Sequence, residues 1–563
     1  MDCPPLARQP VLSESPLAPL AWLPYLWSRV LFPGPSSAPP QRWLWWPLLA
    51  LLVGPGLLLY PSLAFPLLEP DESRYAQIPY EMIVRGDYLV PRLQGQPYLD
   101  KPPLFYWLVA CSYRLFGIHQ AAARLVPALA VHGCVLLAYF FGRRWLGGPA
   151  AFRGALFLAL APGLVTMGRM LLLDSLLTFW TTLALFAAFE ARRGAGLHRG
   201  WWLVAAAACG LAILAKGPVA LLLVLPPLWL YRILSGRSCP VSLGGWLAFA
   251  LLVAGIALPW YGALCWQVPG FLRYFLWEHH FLRFLTPFAH AHGVWFYGPV
   301  LLLGLLPATP WLVSFLRFLL SGEEAAAHHR PAELGFLLLA GGWCVFFFTL
   351  STGKLPTYIL PAFPPLALAL GHYLAQERWA RARSPWLVAG LAFGTLAFVH
   401  HAALPWYADY RSPQRRSGAV RRFCADPDMP VVCYPRNCDS IAFALGRADL
   451  GSFRSKDIED LRTFVRTRPR TVLLCTHRHS LRGLKQLLPP EVKVVEEAHF
   501  GLTPIPGVPK RWMNLLARLM GETALGLCDV AVVEAPPPYP ANPPDCRQVN
   551  LLRTDRHDAE REN

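Results

Sequence analysis

Charged residues are absent from long stretches of the first four hundred positions. The uncharged runs are 43–68, 125–142, 154–168, 175–189, 200–215, 217–231, 238–272, 284–316, 334–353, 355–376 and 384–408. An apolar run of about 20 residues is the length a helix needs to cross the hydrocarbon of a bilayer. The pattern therefore predicts eleven spans. Short or re-entrant segments near 104–116 and within 238–272 or 284–316 raise the number to as many as thirteen. Either number is odd and places the two termini on opposite sides. From residue 405 the pattern changes. Residues 458–465 read as an amphipathic helix, 471–475 as a strand, 480–488 as a helix and 492–496 as a strand, which is the alternation of a small α/β domain.

Composition agrees. Of 563 residues 55% are hydrophobic and 15% charged, with mean hydropathy +0.36. A soluble chain carries roughly a quarter charged residues, so a soluble enzyme, a disordered chain and a secreted disulfide scaffold are excluded. The expected fold is an α-helical polytopic membrane protein with 11–13 transmembrane helices, a long first outer loop and a C-terminal α/β domain. Its parts are a Pro-rich extension at 1–41, a membrane domain at 42–404 with outer loops at 64–103 and about 265–295, the α/β domain at 405–534, and a Pro-rich, charged tail at 535–563 that reads as disordered. The extension has no charged leader followed by a cleavage site, so the run at 43–68 reads as an uncleaved anchor.

The net charge of +17 does not indicate nucleic acid. Residues 1–404 hold 27 Lys and Arg against 15 Asp and Glu, and residues 405–563 hold 24 against 19. Most of the surplus lies between spans, where it sets orientation. Loops at 142–153, 190–200, 231–243, 317–333 and 376–383 carry 13 basic and 5 acidic residues, whereas 64–103 carries 4 and 6. The positive-inside rule places the first set and the N-terminus in the cytoplasm, and the acidic loop and everything beyond 405 outside. Six cysteines fall in that outer part (Cys424, Cys433, Cys438, Cys475, Cys528, Cys546). Either bridges, such as Cys433 with Cys438, or six free thiols fit that count.

Acids are scarce enough in the membrane part that each one is informative. Six of the fifteen cluster in the outer loop: Glu69, Asp71, Glu72, Glu81, Asp87 and Asp100. Asp174 stands alone between Asp100 and Glu190, and Glu278 alone between Glu190 and Glu323. Against these acids, Arg74, Arg92, Lys101, Arg169, Lys216, Arg273, Arg283 and Lys354 sit at or near outer span ends, contrary to the positive-inside trend. Arginine forks and lysine point charges in such places suit a phosphate. Tyr75, Tyr80, Tyr98, Phe105, Tyr106 and Trp107 crowd the same loop and its exit, where they fit either a partly apolar ligand or an interfacial aromatic belt. These residues describe a site at the outer surface that handles a phosphate and uses a carboxylate. Clean apolar runs and charges confined to span ends argue against a lipid flippase or transporter.

The segments Asp71-Glu72-Ser73-Arg74-Tyr75, Gly86-Asp87-Tyr88-Leu89-Val90-Pro91-Arg92-Leu93 and Tyr98-Leu99-Asp100-Lys101-Pro102-Pro103 resemble the first periplasmic loop of bacterial lipid A aminoarabinose transferases. These are GT-C glycosyltransferases related to the protein O-mannosyltransferases. Arg169 to Asp174, Ala215-Lys216-Gly217-Pro218, Glu278 to Phe284 and Gly353 to Pro361 are similar to the family's later motifs, in order, so the resemblance covers roughly residues 65–370. It implies an inverting transferase at the outer face of the bacterial inner membrane. The donor would be an undecaprenyl-phosphate-linked sugar, 4-amino-4-deoxy-L-arabinose, and the acceptor a lipid A phosphate, with membrane lipids as the surroundings. A polyprenyl-phosphate-dependent transfer to a protein or another glycan is the alternative.

By the same resemblance Asp71 is the catalytic carboxylate, with Asp174 beside it to position Arg74 or contact an amino sugar. Arg74, Lys101, Lys354 and Arg283 would hold the donor phosphate, and Glu72, Tyr75, Tyr98 and Tyr358 would line the pocket. No cofactor is required. A structural divalent ion, zinc, is implied at Asp100 with His279 or His280, although the family usually has Glu at the first position, one methylene longer.

Overall fold

The computed structural model describes residues 45–537 except 237, 287–290, 324–328, 377–378, 380–381, 425, 427, 477–480, 499–508, 510 and 512–527. The extension at 1–41 and nearly all of the tail lie outside the described residues. Helices occupy each of the eleven apolar runs. Among the described residues five are long and apolar enough to cross a membrane by themselves: Gln120–Leu146, Arg199–Lys216, Leu243–Gln267, Ala332–Leu350 and Ser384–Asp409. Two bent pairs raise the number to seven. The first, Gly148–Ala159 with Pro162–Arg169, turns by 57°, and the second, Val294–Gly304 with Thr309–Leu320, by 114°. The run at 284–316 is thus two arms and not one rod, because Pro307 and Pro310 withhold the backbone N–H groups a continuous helix needs. Trp45–Leu59, Leu104–Phe116 and Val219–Ser235 are shorter apolar helices, and Asp174–Arg192 is a largely buried one.

Where two helices must touch backbone to backbone, glycine permits it. A Cβ on Gly371 would lie 2.3 Å from the backbone N of Gly154, so Gly148–Ala159 and Phe363–Leu374 pack at a distance no side chain would allow.

The chain leaving the first helix is irregular, and buried irregular backbone needs partners for its carbonyls. Two arginines supply them. Arg169 donates to Leu58, Leu59, Pro61, Ser62 and His400 carbonyls at 2.7–3.1 Å. Arg124 donates to Leu63, Phe65 and Pro66 carbonyls and, through Nε and Nη2, to both carboxylate oxygens of Glu72 at 2.9 and 2.8 Å. Both side chains of this ion pair are fully buried. Glu72 also accepts from the backbone N–H of Leu68 and Leu171.

In the C-terminal domain five strands form one sheet in the order β4-β3-β5-β7-β6, comprising β3 (Val431–Tyr434), β4 (Gly451–Ser452), β5 (Arg470–Thr476), β6 (Lys493–Ala498) and β7 (Cys528–Glu534). β3 runs parallel to β4 and β5, while β7 is antiparallel to β5 and β6. Successive strand residues feed opposite cores: Val432 and Leu473 pack with Leu461 and Phe464, Val431 and Val472 with Ile441 and Phe423. The helices and two of the strands stand where the sequence pattern expects them. Cys424, Cys433, Cys438 and Cys475 are buried and form no disulfide, so of the two alternatives the Cys433–Cys438 bridge is not the one adopted; Cys546 lies outside the described residues.

This domain docks on the loop at 64–103. Gln77 donates to the Arg447 carbonyl at 2.8 Å and Tyr80 to the Gly446 carbonyl at 2.5 Å. Gln94 donates to Asp439 and accepts from Leu450 N–H. At the centre of the seam Glu69 accepts from Ser440 N–H at 2.7 Å and from the Ser73 hydroxyl. Burial, then the neighbouring Asp439 charge, pushes the Glu69 carboxyl up to about 7, and burial also raises Asp439.

Two outcomes follow from these contacts. Truncating Glu72→Ala leaves the Arg124 guanidinium buried without its counter-ion, a loss of roughly 3–5 kcal/mol, read as a sharply lower thermal unfolding midpoint in detergent; a midpoint like that of the unmodified protein would show the pair to be dispensable. Because the folded-state pKa of Glu69 lies above its unfolded value, the native state holds the extra proton, and stability declines as pH rises until that proton is lost near pH 7. The unfolding midpoint should therefore fall between about pH 5 and pH 8, and Glu69→Gln should flatten that slope.

Candidate active site

The helix Asp71–Arg85 carries the first part of the site. Asp71, Arg74 and Tyr75 share one face by the i, i+3, i+4 geometry of a helix. Glu72, one residue on, turns about 100° away into the bundle. Asp71 therefore stays more than half exposed, with Arg74 Nη1 3.7 Å from its carboxylate. Arg74 also donates to the Tyr98 hydroxyl at 3.3 Å and lies over the Tyr98 ring. Burial would lower the Arg74 pKa, but the Tyr98, Tyr75 and Asp71 oxygens outweigh it and hold the guanidinium firmly charged. Tyr75 is buried edge-on to Phe105.

Glu81 fixes the return of the loop. Its carboxylate accepts from the backbone N–H of Gln94 at 2.7 Å and of Gly95 at 3.0 Å, and from Gln77. These residues turn the hairpin of β1 (Arg92–Leu93) and β2 (Gln96–Pro97). Gln94 holds φ +52° there, a left-handed conformation that this clamp supports. The chain leaves the hairpin through Tyr98, Asp100 and Lys101.

Asp100 and Lys101 meet the segment Arg273–Leu282, wound as a π-helix. The Tyr274 hydroxyl donates to Asp100, His279 Nδ1 lies 3.9 Å from the same carboxylate, and Lys101 Nζ lies 2.8 Å from His279 Nε2. Burial opposes ionisation of Asp100, yet His279, Lys101 and the Tyr274 hydrogen bond hold its carboxyl below the ordinary range. Burial lowers Lys101 to about 8, with Lys216 and Arg283 adding repulsion against the pull of Asp100. Burial and the Lys101 charge depress His279 to about 3, so its imidazole is neutral and accepts from the ammonium.

A second pair lies within electrostatic reach of Lys101. Asp174, in the first turn of Asp174–Arg192, meets Lys216, the last residue of Arg199–Lys216, at 2.5 Å. Lys216 also stands 4.8 Å over the Tyr358 ring. The partner of Asp174 is thus Lys216 and not Arg74. Gly217 ends that helix at φ +94°, and a Cβ there would fall 2.7 Å from His280 Nε2. Only glycine lets His280 pass.

The structure thus gathers Asp71, Arg74, Tyr75, Tyr98, Asp100, Lys101, Asp174, Tyr358, His279 and His280, with Arg283 exposed beside Lys101 and His279. Two other expected site residues are committed elsewhere. Glu72 is consumed by Arg124. Lys354 is buried and donates to the carbonyls of His292 and Ser351. Arg169, counted among the outer cations, serves backbone carbonyls. Tyr274 and the Glu69–Asp439 seam were not anticipated; a tyrosine five residues before His279 was the available signal for the first.

The zinc set does not fit as arranged. His279 Nε2 faces the Lys101 ammonium, which would repel a dication beside it, its Nδ1 stands 3.9 Å from the Asp100 carboxylate, and His280 Nδ1 is held 2.6 Å from the Phe275 carbonyl. Among the described residues no group of three or more His, Cys, Asp or Glu side chains converges on one point.

Comparison with known proteins gives the following. A family model described as dolichyl-phosphate-mannose-protein mannosyltransferase matches residues 45–275. An undecaprenyl phosphate-α-4-amino-4-deoxy-L-arabinose arabinosyl transferase 2 from Pseudomonas fluorescens is 37% identical over 336 residues, covering 58% of this chain and 56% of the relative. The transferase 1 from the same organism is 35% identical over 382 residues, covering 65% of this chain and 67% of the relative. The chain therefore spans between about half and two thirds of the length of these relatives. The crystal structure of ArnT from Cupriavidus metallidurans bound to undecaprenyl phosphate superposes with a TM-score of 0.67 at 19% identity, over 87% of this chain and 98% of that one.

Proposed function

As this chain belongs to the family of undecaprenyl phosphate-aminoarabinose arabinosyl transferases, multi-span membrane glycosyltransferases of the GT-C fold, we propose that it transfers 4-amino-4-deoxy-L-arabinose from undecaprenyl phosphate to a lipid A phosphate. The reaction takes place at the periplasmic face of the inner membrane, with the N-terminus cytoplasmic and the C-terminal domain periplasmic. The observation that carries this reading is one exposed carboxylate, Asp71, paired with Arg74, which is linked through Tyr98 and Asp100 to a cluster of further cations, Lys101, Lys216 and Arg283.

The transfer needs little proton chemistry. An oxygen of the acceptor phosphate, already ionised, attacks the anomeric carbon as the bond from that carbon to the donor phosphate oxygen breaks. The sugar passes through oxocarbenium character, and the departing undecaprenyl phosphate gains charge. Asp71, exposed, stabilises the cationic sugar and orients the acceptor. Lys101 and Arg74, with Arg283 at the rim, take up the growing charge of the leaving phosphate. Preset cations of this kind contribute more than cations that must be reorganised during the reaction. His279 and Asp100 hold the Lys101 ammonium in place. Tyr75 and Tyr98 wall the pocket, and the Asp174–Lys216 pair offers both a carboxylate to an amino sugar and an ammonium to a phosphate. The donor lipid, the acceptor and the surrounding membrane are the partners, and no step is routed through a metal.

Replacing Asp71→Asn should lower transfer by roughly 10²–10⁴-fold while the reconstituted protein still folds and binds donor; activity within a few-fold of the parent would remove Asp71 from the mechanism. Lys101→Ala should weaken binding of undecaprenyl phosphate by roughly ten- to a hundredfold, the equivalent of one charge-assisted hydrogen bond, measured directly on protein in nanodiscs. Mass spectrometry of lipid A from cells with and without the gene tests the acceptor; unchanged lipid A together with an altered protein or glycan would transfer the assignment to that acceptor.

A further inference from the structure

The seam between the C-terminal domain and the loop at 64–103 holds two acids that the transfer step does not use. Glu69 stands two residues before Asp71. One of its carboxylate oxygens meets the Ser73 hydroxyl on the helix Asp71–Arg85, and the other accepts from Ser440 N–H at 2.7 Å. Asp439, the residue before Ser440, is buried and accepts from Gln94 at 3.0 Å. Glu69 therefore ties the start of the Asp71 helix to the start of Asp439–Leu445, with a second carboxyl alongside.

Two carboxyls placed together away from water do not both ionise readily unless a cation is shared between them. Among the described residues neither Glu69 nor Asp439 has an ion-pair partner, because the charged groups around the seam are engaged elsewhere. On the loop, Glu72 pairs with Arg124, Glu81 with the hairpin N–H groups and Arg85, and Arg92 with Asp87. On Leu104–Phe116, Arg114 lies over the Tyr88 ring. In the C-terminal part, Arg447 pairs with Asp449, Arg421 bonds the Ala444 carbonyl and Arg415 is exposed. Arg74 is the cation whose charge reaches Asp439, and it stands 3.7 Å from Asp71. The pair is thus coupled to the candidate site through Arg74 as well as through the backbone.

The seam has a place for a proton. Ser73 Oγ contacts both Glu69 and the Pro70 carbonyl, the latter at 3.1 Å. A neutral Glu69 donates its O–H to Ser73 Oγ, and the Ser73 hydroxyl donates to Pro70. The other Glu69 oxygen still accepts from Ser440 N–H. Every bond of the seam survives in this form, and Asp439 holds the single negative charge. Burial and the Asp439 charge hold the Glu69 carboxyl up at about 7, so the proton leaves near neutral pH. The remaining ties are neutral: Gln77 to the Arg447 carbonyl, Tyr80 to the Gly446 carbonyl, and Phe443 packed edge-on to Tyr80. Losing the proton therefore loosens the end of the seam nearest Asp71 and leaves the far end seated.

We propose that Glu69 and Asp439 form a proton-dependent latch: one proton between them keeps the C-terminal domain closed on the Asp71 helix and the helix in working position, and repulsion between two ionised carboxylates releases it. Both are positioning residues. They act through the helix that carries Asp71 and Arg74 and touch neither sugar nor phosphate. The catalytic consequence rests on the transferase reading, whereas the latch itself rests on the seam.

The test uses the full-length protein in nanodiscs, below its unfolding midpoint, with undecaprenyl-phosphate-linked aminoarabinose as donor and lipid A as acceptor. Glu69→Gln copies the neutral form, its amide donating to Ser73, and Asp439→Asn removes the second charge while still accepting from Gln94. Parent kcat should fall about tenfold between about pH 6 and pH 8, as one group near neutrality loses its proton. Relative to the parent at each pH, both variants should recover most of that loss; titration of other groups, Lys101 among them, cancels in this ratio. Hydrogen–deuterium exchange over residues 439–450, corrected for the intrinsic effect of pH, reads the seam directly. Protection there should fall about tenfold over the same range in the parent and stay level in both variants. Level protection in the parent overturns the latch. Protection that falls while parent and variants share one kcat profile overturns the positioning role. If the parent transfers no sugar at any pH, the transferase reading fails instead, and pH-dependent protection lost in both variants would still support the latch.

Discussion

The buried ion pair between Glu72 and Arg124 is the constraint on which the candidate site depends. Taking both charges out of water is costly, and the geometry offsets that cost by satisfying every oxygen of Glu72 and all three guanidinium nitrogens of Arg124. The result is a helix whose rotation is set. With Glu72 pointing into the bundle, Asp71 and Arg74 have one remaining direction, toward Tyr98 and the cluster around Lys101. A helix held only by apolar contacts would lack that fixed reference, and Asp71 would lose its aim.

Around that fixed helix the charges are arranged with more cations than acids. Asp100 and Asp174 are each drawn into a short contact, with Tyr274 and Lys216 respectively, while Lys101, Lys216 and Arg283 repel one another. Such a shell is poorly satisfied alone and gains most when a phosphate arrives. The neutral imidazole of His279 fits this role: it positions the ammonium without cancelling its charge, as a second carboxylate would do.

The candidate site was readable to the extent that scarcity is a signal. Few acids in a greasy chain point to Asp71, Asp100 and Asp174, and the helix from Asp71 announces itself by pattern. The division of labour among adjacent acids was not readable. Glu72 and Glu81 look like Asp71 in sequence, and only the packing of distant segments turns them into internal ties. Likewise Asp174 finds Lys216 across 42 positions, a pairing set by helix packing. In the C-terminal domain the elements near 458–498 show clear alternation, whereas β3, β4 and β7 escape notice. β3 is four residues long and buried on both faces, which erases the period-two signal, and β4 is only two residues long.

The strand order has a consequence for how a newly made molecule becomes active. β7 is the last strand described along the chain, yet it lies between β5 and β6, and among the described strands β6 pairs with β7 alone. The sheet is complete only once residues 528–534 have been made and inserted between β5 and β6. The loop at 64–103 is made within the first hundred or so residues, but Gln77, Tyr80 and Gln94 find their partners at 439–450, in the domain this sheet organises. The earliest part of the candidate site to be synthesised therefore waits for the last described strand before it is braced. A chain that ends before β7 presents that loop without the support that braces it.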